Sequence, residues 1–388
     1  MNRFDALVER KMTNSVKWDL TKEIFGYDEL LPMWVADMDF PSPDEVLKAL
    51  HERVNHGVFG YTIPSESTGR AIQQWVNQRH NWKTDPKSYV YSSGVVAALS
   101  TSVLAYTEPG DQVVVQPPVY YPFFDTVEKN NRVVLGNELL LENGRYEIDF
   151  DDLGKKLAEK KTKLFFLCNP QNPSGRVWRR EELERIAELC IKHDVLIISD
   201  EIHSDLLLFG NKHIPIAYLS EELAQRSITC ISPSKTFNIA GLQAAAIIIP
   251  NDSLRRKYNE IQSSQGFFTL NTLGIVAMEA AYSYGEGWLN ELLSYLEENV
   301  TFLTAYLQEK LPAVKVMVPE STYLVWLDAS GLNLEDNELK RLLLQKGKLA
   351  LEQGSKYGKN GAGFLRMNIA CPRSTLEEGL KRFVVAFS

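Results

Sequence analysis

Residues 163–205 read KLFFLCNPQNPSGRVWRREELERIAELCIKHDVLIISDEIHSD. Two short apolar runs, Lys163 to Cys168 and Val195 to Ser199, flank a stretch from Arg179 to Lys192 whose apolar residues recur at helical spacing. Apolar runs that do not alternate with polar residues mark strands buried on both faces, the habit of parallel sheets covered by helices. The stretch is therefore a strand–helix–strand unit. Each strand runs into a polar turn: Asn169-Pro170-Gln171-Asn172-Pro173-Ser174-Gly175 after the first, Asp200-Glu201-Ile202-His203-Ser204-Asp205 after the second. Ligands of open α/β sheets bind beyond the carboxyl ends of the strands, which makes both turns candidate site loops.

Outward from this unit the pattern repeats. Tyr89-Val90-Tyr91 leads through Ser93-Gly94 into a helix, VVAALSTSVLAYT, and Gln112 to Gln116, Ser227 to Ser232 and Ala244 to Ile249 read as further strands. Helices are expected from Pro43 to about Gly57, from Ser67 to about Arg79 and from Gly287 to about Leu311. VKVMVP, TYLVWLDA and GFLRMNIA then read as strands, interleaved with helices over Glu335 to Lys346 and Ser374 to Phe387. The expected architecture is α/β. Residues 45–285 form a large domain around a mostly parallel sheet covered by helices, and residues 1–44 and 286–388 form a smaller, discontinuous α+β domain.

The 388 residues are 44% hydrophobic and 24% charged, enough to bury a large core without disulfide or metal staples. Lys and Arg number 42 against 50 Asp and Glu, and the resulting net charge of −8 speaks against nucleic acid or an anionic membrane as partner. No helix-turn-helix segment with a basic face is evident. The cysteines, Cys168, Cys190, Cys230 and Cys371, form no C-x-x-C pair and sit in apolar stretches, as core thiols of a reducing compartment do. MNRFDALVERKMTN has no apolar stretch of signal-peptide length, and the longest apolar run, Ala244 to Pro250, is far short of the ~18 residues of a membrane helix. A cytoplasmic protein is expected.

Four strand ends carry the candidate chemistry. Ser93-Gly94-Val95-Val96 can converge backbone N–H groups on an anion at a helix N-terminus, or be an ordinary turn. The two Asn-Pro pairs and the glycine of residues 169–175 specify a tight turn that presents amides at the sheet edge. Asp200, at the end of a buried strand, needs a cationic or hydrogen-bonding partner. A DExH helicase reading of its turn requires a P-loop, and none exists; a metal site from Asp200, His203 and Asp205 has no second cluster to complete it, so no metal is assigned. Lys235, in Ser232-Pro233-Ser234-Lys235-Thr236, follows an apolar strand among hydroxyls, where burial lowers an amine's pKa and fits it for Schiff-base chemistry; the alternative is a loop lysine in solvent.

Together, NPQNPSGR, SDEIHSD and SPSKTFNIAGLQ resemble the three signature blocks of fold-type-I pyridoxal-phosphate enzymes, the aminotransferase class I/II superfamily, in the right order and across essentially the whole chain. MWVADMDFPSP, VFGYT around Tyr61 and SKTFNIAGL look like its cystathionine β-lyase, or C–S lyase, branch. Ordinary aminotransferases carry an arginine eight residues after the lysine, where this chain has Gln243. The resemblance implies a fold-type-I transferase fold with a seven-stranded-type sheet and pyridoxal 5′-phosphate as cofactor. It implies α,β-elimination of cystathionine or cysteine S-conjugates to thiol, pyruvate and ammonia, with transamination as the alternative. Lys235 would carry the cofactor and move the α-proton, and Asp200 would pair with the ring nitrogen. Asn172 would bond the ring oxygen with His203 close behind, and Tyr120 (or Tyr121, since the doublet is ambiguous) would stack on the ring. Gly94, Val95, Val96, Ser232 and Ser234 would hold the phosphate. Tyr61 would reach the phosphate of a neighbouring subunit, so a homodimer with shared sites is implied. Arg366 would bind the substrate carboxylate, alongside Asn172 and Tyr120. Trp34 would line the substrate pocket or pack in the core.

Overall fold

In the computed structural model, which describes residues 2–388, the stretch from 163 to 205 is a parallel strand–helix–strand unit at the centre of a sheet of seven strands. The strands are β1 (Tyr89–Ser92), β2 (Gln112–Val115), β3 (Val133–Gly136), β4 (Thr162–Cys168), β5 (Leu196–Asp200), β6 (Ser227–Ile231) and β7 (Ala245–Ile248). Their spatial order is β1-β7-β6-β5-β4-β2-β3, and only β7 runs antiparallel to its neighbours.

The strands are apolar throughout because both faces are covered. Val113, Val115, Leu164, Phe166 and Ile198 pack on one side of the sheet, and Val114, Phe165, Leu167 and Ile197 on the other. The helix between β4 and β5, Arg180–Lys192, buries Leu183, Ile186, Ala187 and Cys190, one stripe at 3.6-residue spacing. Glu182 closes its first turn by accepting the Arg179 N–H at 2.7 Å. All four cysteines are buried and unpaired.

A second sheet is wholly antiparallel: β8 (Lys315–Met317), β9 (Leu324–Asp328), β10 (Glu352–Gln353) and β11 (Phe364–Asn368), in the order β8-β9-β11-β10. The N-terminal segment joins this part of the molecule, since Leu31–Pro32 pairs in parallel with Leu349–Ala350. Helices Asp44–His56 and Glu66–His80 both pack on Thr272–Tyr284. That last helix and β3 have no counterpart in the sequence reading. Thr272–Tyr284 is apolar on nearly every side, so no amphipathic period marks it, whereas β3 is a partly exposed edge strand of only four residues. Among the described residues no helix is long and apolar enough to cross a membrane.

Candidate active site

A cavity of about 310 Å³ opens at the carboxyl ends of the parallel strands. Its wall takes Gly94 from the turn after β1, Tyr120 from that after β2, Asn172 from that after β4, Asp200 from β5 itself and Lys235 from the turn after β6. Sheet topology thus gathers residues more than a hundred positions apart.

Asp200 lies in register between Cys168 on β4 and Cys230 on β6, flanked by two buried thiols. Its Oδ1 accepts the Ile202 N–H at 3.1 Å, and no cation lies within ion-pair distance among the described residues. Burial pushes its carboxyl up to about 7, against the pull of the Ile202 N–H and of Lys235. A buried carboxylate this poorly partnered fits a ligand that brings its own cation or N–H. His203, three residues further round the turn, has a buried Nδ1 with no partner. Burial, with Lys235 and Arg366 adding to it, pushes this imidazole down to about 3, so it is neutral.

Lys235 donates from Nζ to the Ala36 carbonyl at 2.7 Å. Burial pushes its amine down to about 8; Asp37 opposes that shift and Arg366 adds to it. An appreciable share of the amine is therefore unprotonated near neutral pH, as a nucleophile or base requires. Asn172 is held by a loop that the Gln171 side chain ties together, its Oε1 accepting the Ser174 N–H at 3.0 Å. Gly175 closes this loop at φ +73°, pressed against Pro319. Asn172 Oδ1 accepts from Arg366 Nη1 at 3.0 Å. The guanidinium of Arg366 is buried on β11, donates from Nη2 to the Trp34 carbonyl at 2.8 Å and lies 5.2 Å from the centre of the Tyr357 ring, while its Nε has no partner. No carboxylate of the described residues pairs with it. A buried cation so placed demands an anion.

The helix after β1, Val95–Tyr106, starts with no side-chain cap, and the N–H groups of Val95, Val96 and Ala97 have no intrahelical partner where they border the cavity. A Cβ added to Gly94 would meet no protein atom within 4 Å, so the backbone there is open to close approach by a ligand. Ser232 and Ser234 also line the cavity, with their hydroxyl oxygens 2.8 Å apart. The Ser232 hydroxyl already donates to the Ala244 carbonyl at 2.7 Å and caps the Ser234 N–H, which leaves Ser234 the freer donor. Gln243 lines the cavity too. These residues fit pyridoxal phosphate: an amine of lowered pKa, a buried carboxylate with no cationic partner, an amide, and an uncapped helix start with a hydroxyl for a phosphate.

Other expected residues fall differently. Tyr120 borders the cavity, and burial pushes its phenol up to about 12, whereas Tyr121 is more exposed, does not line the cavity and meets Tyr357 edge-on. The indole of Trp34 does not line the cavity. It packs with Leu30, Leu344, Ala350 and Phe25, with its Nε1 donating to the Lys17 carbonyl at 3.1 Å. The Trp34 carbonyl, not the ring, meets Arg366, because the ring finds a closed apolar niche and a backbone partner elsewhere. Tyr61 is 98% exposed, edge-on to Phe268, and does not line the cavity of its own chain. The sequence reading missed Ala36, Tyr323 and Asn368. Ala36 acts through a carbonyl and leaves no signal in its residue type. Tyr323 and Asn368 are neutral polar groups inside apolar runs, and neither carries a charge that demands a partner.

The model of the family described as aminotransferase class I and II matches residues 29–383. The chain is 53% identical over 385 residues to cystathionine beta-lyase PatB of Bacillus subtilis (strain 168), covering 99% of this chain and 100% of that protein. Two solved structures are similar over nearly full length. One is a PLP-bound C-S lyase from Staphylococcus hominis, with TM-score 0.93, 36% identity and coverage of 99% of this chain and 97% of the other. The other is a PLP-bound putative aminotransferase from Clostridium difficile 630, with TM-score 0.98, 43% identity and complete coverage of both chains.

Proposed function

The chain belongs to the aminotransferase class I and II family, and from that premise we propose that it is a pyridoxal-5′-phosphate-dependent carbon–sulfur lyase of the cystathionine β-lyase type. It converts cystathionine or a cysteine S-conjugate, with one water, to a thiol, pyruvate and ammonia. The observation that carries the reading is the convergence of Lys235, Asp200 and the uncapped helix start at Val95 on one cavity, with the anion-seeking Arg366 beside it. Gln243, where ordinary members of the superfamily place an arginine, and the lyase relatives favour elimination over transamination.

In this reading Lys235 would carry the cofactor, Asp200 would pair with its ring nitrogen, Asn172 with its ring oxygen, and Tyr120 would stack on its ring. Gly94, Val95, Val96 and Ser234 receive the phosphate, with Ser232 holding Ser234 in place. Bound there, the cofactor supplies an electron sink that makes the α-proton of an amino acid acidic. The chain's own residues do the rest. Arg366 fixes the substrate carboxylate with parallel N–H donors, which orients the α-carbon. Lys235 Nζ, with its amine near neutrality, takes the α-proton, and the departing sulfur takes up a proton to leave as the thiol. Asp200, buried in the cavity wall, would pair with the cofactor's ring nitrogen and favour its protonated form. Neutral His203 backs the same turn without adding a second positive charge. The exposed Tyr61, with Val58, Phe59, Ile63 and Phe268 exposed around it, supports a homodimer in which Tyr61 serves the partner's site.

Lys235→Ala tests the assignment. The variant is expected to lose both the visible absorbance band of the holoenzyme and pyruvate release from cystathionine. Full turnover in the variant would refute it, and a strict need of the wild type for a 2-oxo acid acceptor would make the protein an aminotransferase instead.

A further inference from the structure

The acceptor of the Lys235 amine is the carbonyl of Ala36, which lines the cavity from an irregular strap before the first long helix. The strap is stitched to β11 by Asn368, a buried side chain two residues from Arg366. Asn368 donates its backbone N–H to the Met33 carbonyl at 2.9 Å, and its Oδ1 is taken by the Ala370 N–H at 2.7 Å. Its Nδ2 lies 2.5 Å from both the Val35 and the Asp37 carbonyls. Both amide hydrogens are thus spent on the peptide oxygens flanking Ala36. The Ala36 carbonyl is left to meet Lys235 Nζ at 2.7 Å and the Tyr323 hydroxyl at 3.0 Å. Beyond it, Arg10 pairs with Asp37 at 2.7 Å and the buried Lys17 with Asp39 at 2.7 Å, which pins the far end of the strap.

We propose that Asn368 is a positioning residue for Lys235: by gripping the strap on both sides of Ala36, it aims the Ala36 carbonyl at the lysine amine whenever that amine is free. Only a side chain with two hydrogens on one nitrogen and an acceptor beside it fills this place. Aspartate has no donor to offer and serine has one. The consequence is a controlled resting place for the amine during turnover, on the strap that also gives Arg366 its Trp34 carbonyl. The inference rests on Lys235 being the working amine.

A carbonyl that accepts from an ammonium stabilises the protonated form, so its loss makes the amine easier to deprotonate. The charged groups around the amine, Asp37 on the strap, Arg366 on β11 and Asp200 on β5, stay in place, and His203 is neutral. Trace acylation of the cofactor-free full chain, read at Lys235 by mass spectrometry across pH, gives the midpoint of the amine directly. The wild type is expected near 8. Asn368→Ala is expected to move the midpoint down by about one unit, a tenfold easier loss of the proton, at an unchanged high-pH plateau. Asn368→Ser, with one donor left, falls between and serves if the alanine variant fails to fold. Mere loosening of the structure does the opposite, raising the midpoint towards the 10.5 of a solvated lysine and raising the plateau. That result, or an unmoved midpoint in both variants, overturns the inference alone. A wild-type midpoint already near 10.5 overturns the reading of Lys235 as the working amine, and this inference with it.

Discussion

Replacing Arg366 by lysine keeps the positive charge and removes the fork. In the folded chain the guanidinium spends Nη1 on Asn172 Oδ1 at 3.0 Å and Nη2 on the Trp34 carbonyl at 2.8 Å, holding the planar group over the Tyr357 ring. An ammonium can fill only one direction well, so one charge-assisted hydrogen bond to an incoming carboxylate is lost. At about 1.5–3 kcal/mol for such a bond, kcat/KM falls roughly 10- to 150-fold. Arg366→Gln removes the charge as well. With a buried anion left unpaired at about 3–5 kcal/mol, the expected loss is roughly 150- to 5,000-fold.

The assay is thiol and pyruvate release from an S-substituted cysteine. Alongside it runs binding of the same compound without its carboxylate, an S-substituted 2-aminoethanethiol. Because the argument concerns the carboxylate alone, the wild-type preference for the amino acid over this amine should collapse in both variants. Binding of the amine itself should change less than threefold. Equal losses for the two compounds would mean that Arg366 acts only by holding Asn172 and the strap in place. A loss under threefold for the amino acid would mean that the substrate carboxylate is bound elsewhere.

Two further outcomes follow from the geometry. Gly175→Ala places a Cβ 2.6 Å from that of Pro319 and 3.1 Å from the Ser321 carbonyl, at φ +73°; a loss of about 1–3 kcal/mol in denaturant unfolding is expected, with weakened cofactor retention because Asn172 shares the loop, and an unchanged midpoint would refute the claimed tightness. If Tyr61 serves the partner's site, mixing Lys235→Ala with Tyr61→Ala chains restores one intact site per mixed dimer, about a quarter of wild-type activity at random assortment, whereas no recovery on mixing removes the shared-site reading.

How much of this was legible in the sequence depends on where the chemistry resides. Asp200, Asn172 and Lys235 could be read because each is a polar side chain where an apolar run stops, and in a parallel sheet all such stops lie at one edge. Arg366 could be read because a lone charge in an apolar strand requires a partner. Trp34 could not be resolved, since an indole suits a pocket wall and a core equally; the niche formed by Phe25, Leu30, Leu344 and Ala350 comes from three separate segments. The Tyr120–Tyr121 doublet was equally opaque. The helix that begins at Pro122 directs the two rings to different neighbours, and only Tyr120 borders the cavity.

The strap marks the deeper limit. Asn368 stands two places beyond Arg366 on the same face of β11, but a neutral amide carries no charge that would force a search for its partner. Its partners are backbone oxygens at Val35 and Asp37, which any residue type could supply. Residue type therefore announces groups that meet a ligand and stays silent about groups that meet the main chain. The second kind decides where Lys235 points. A site assembled from signature residues alone would contain the amine, the carboxylate and the fork, but nothing to fix the amine relative to the fork. In the folded chain the segment from Trp34 to Asp37 does so, because it offers one carbonyl to Arg366, one to Lys235 and two to Asn368.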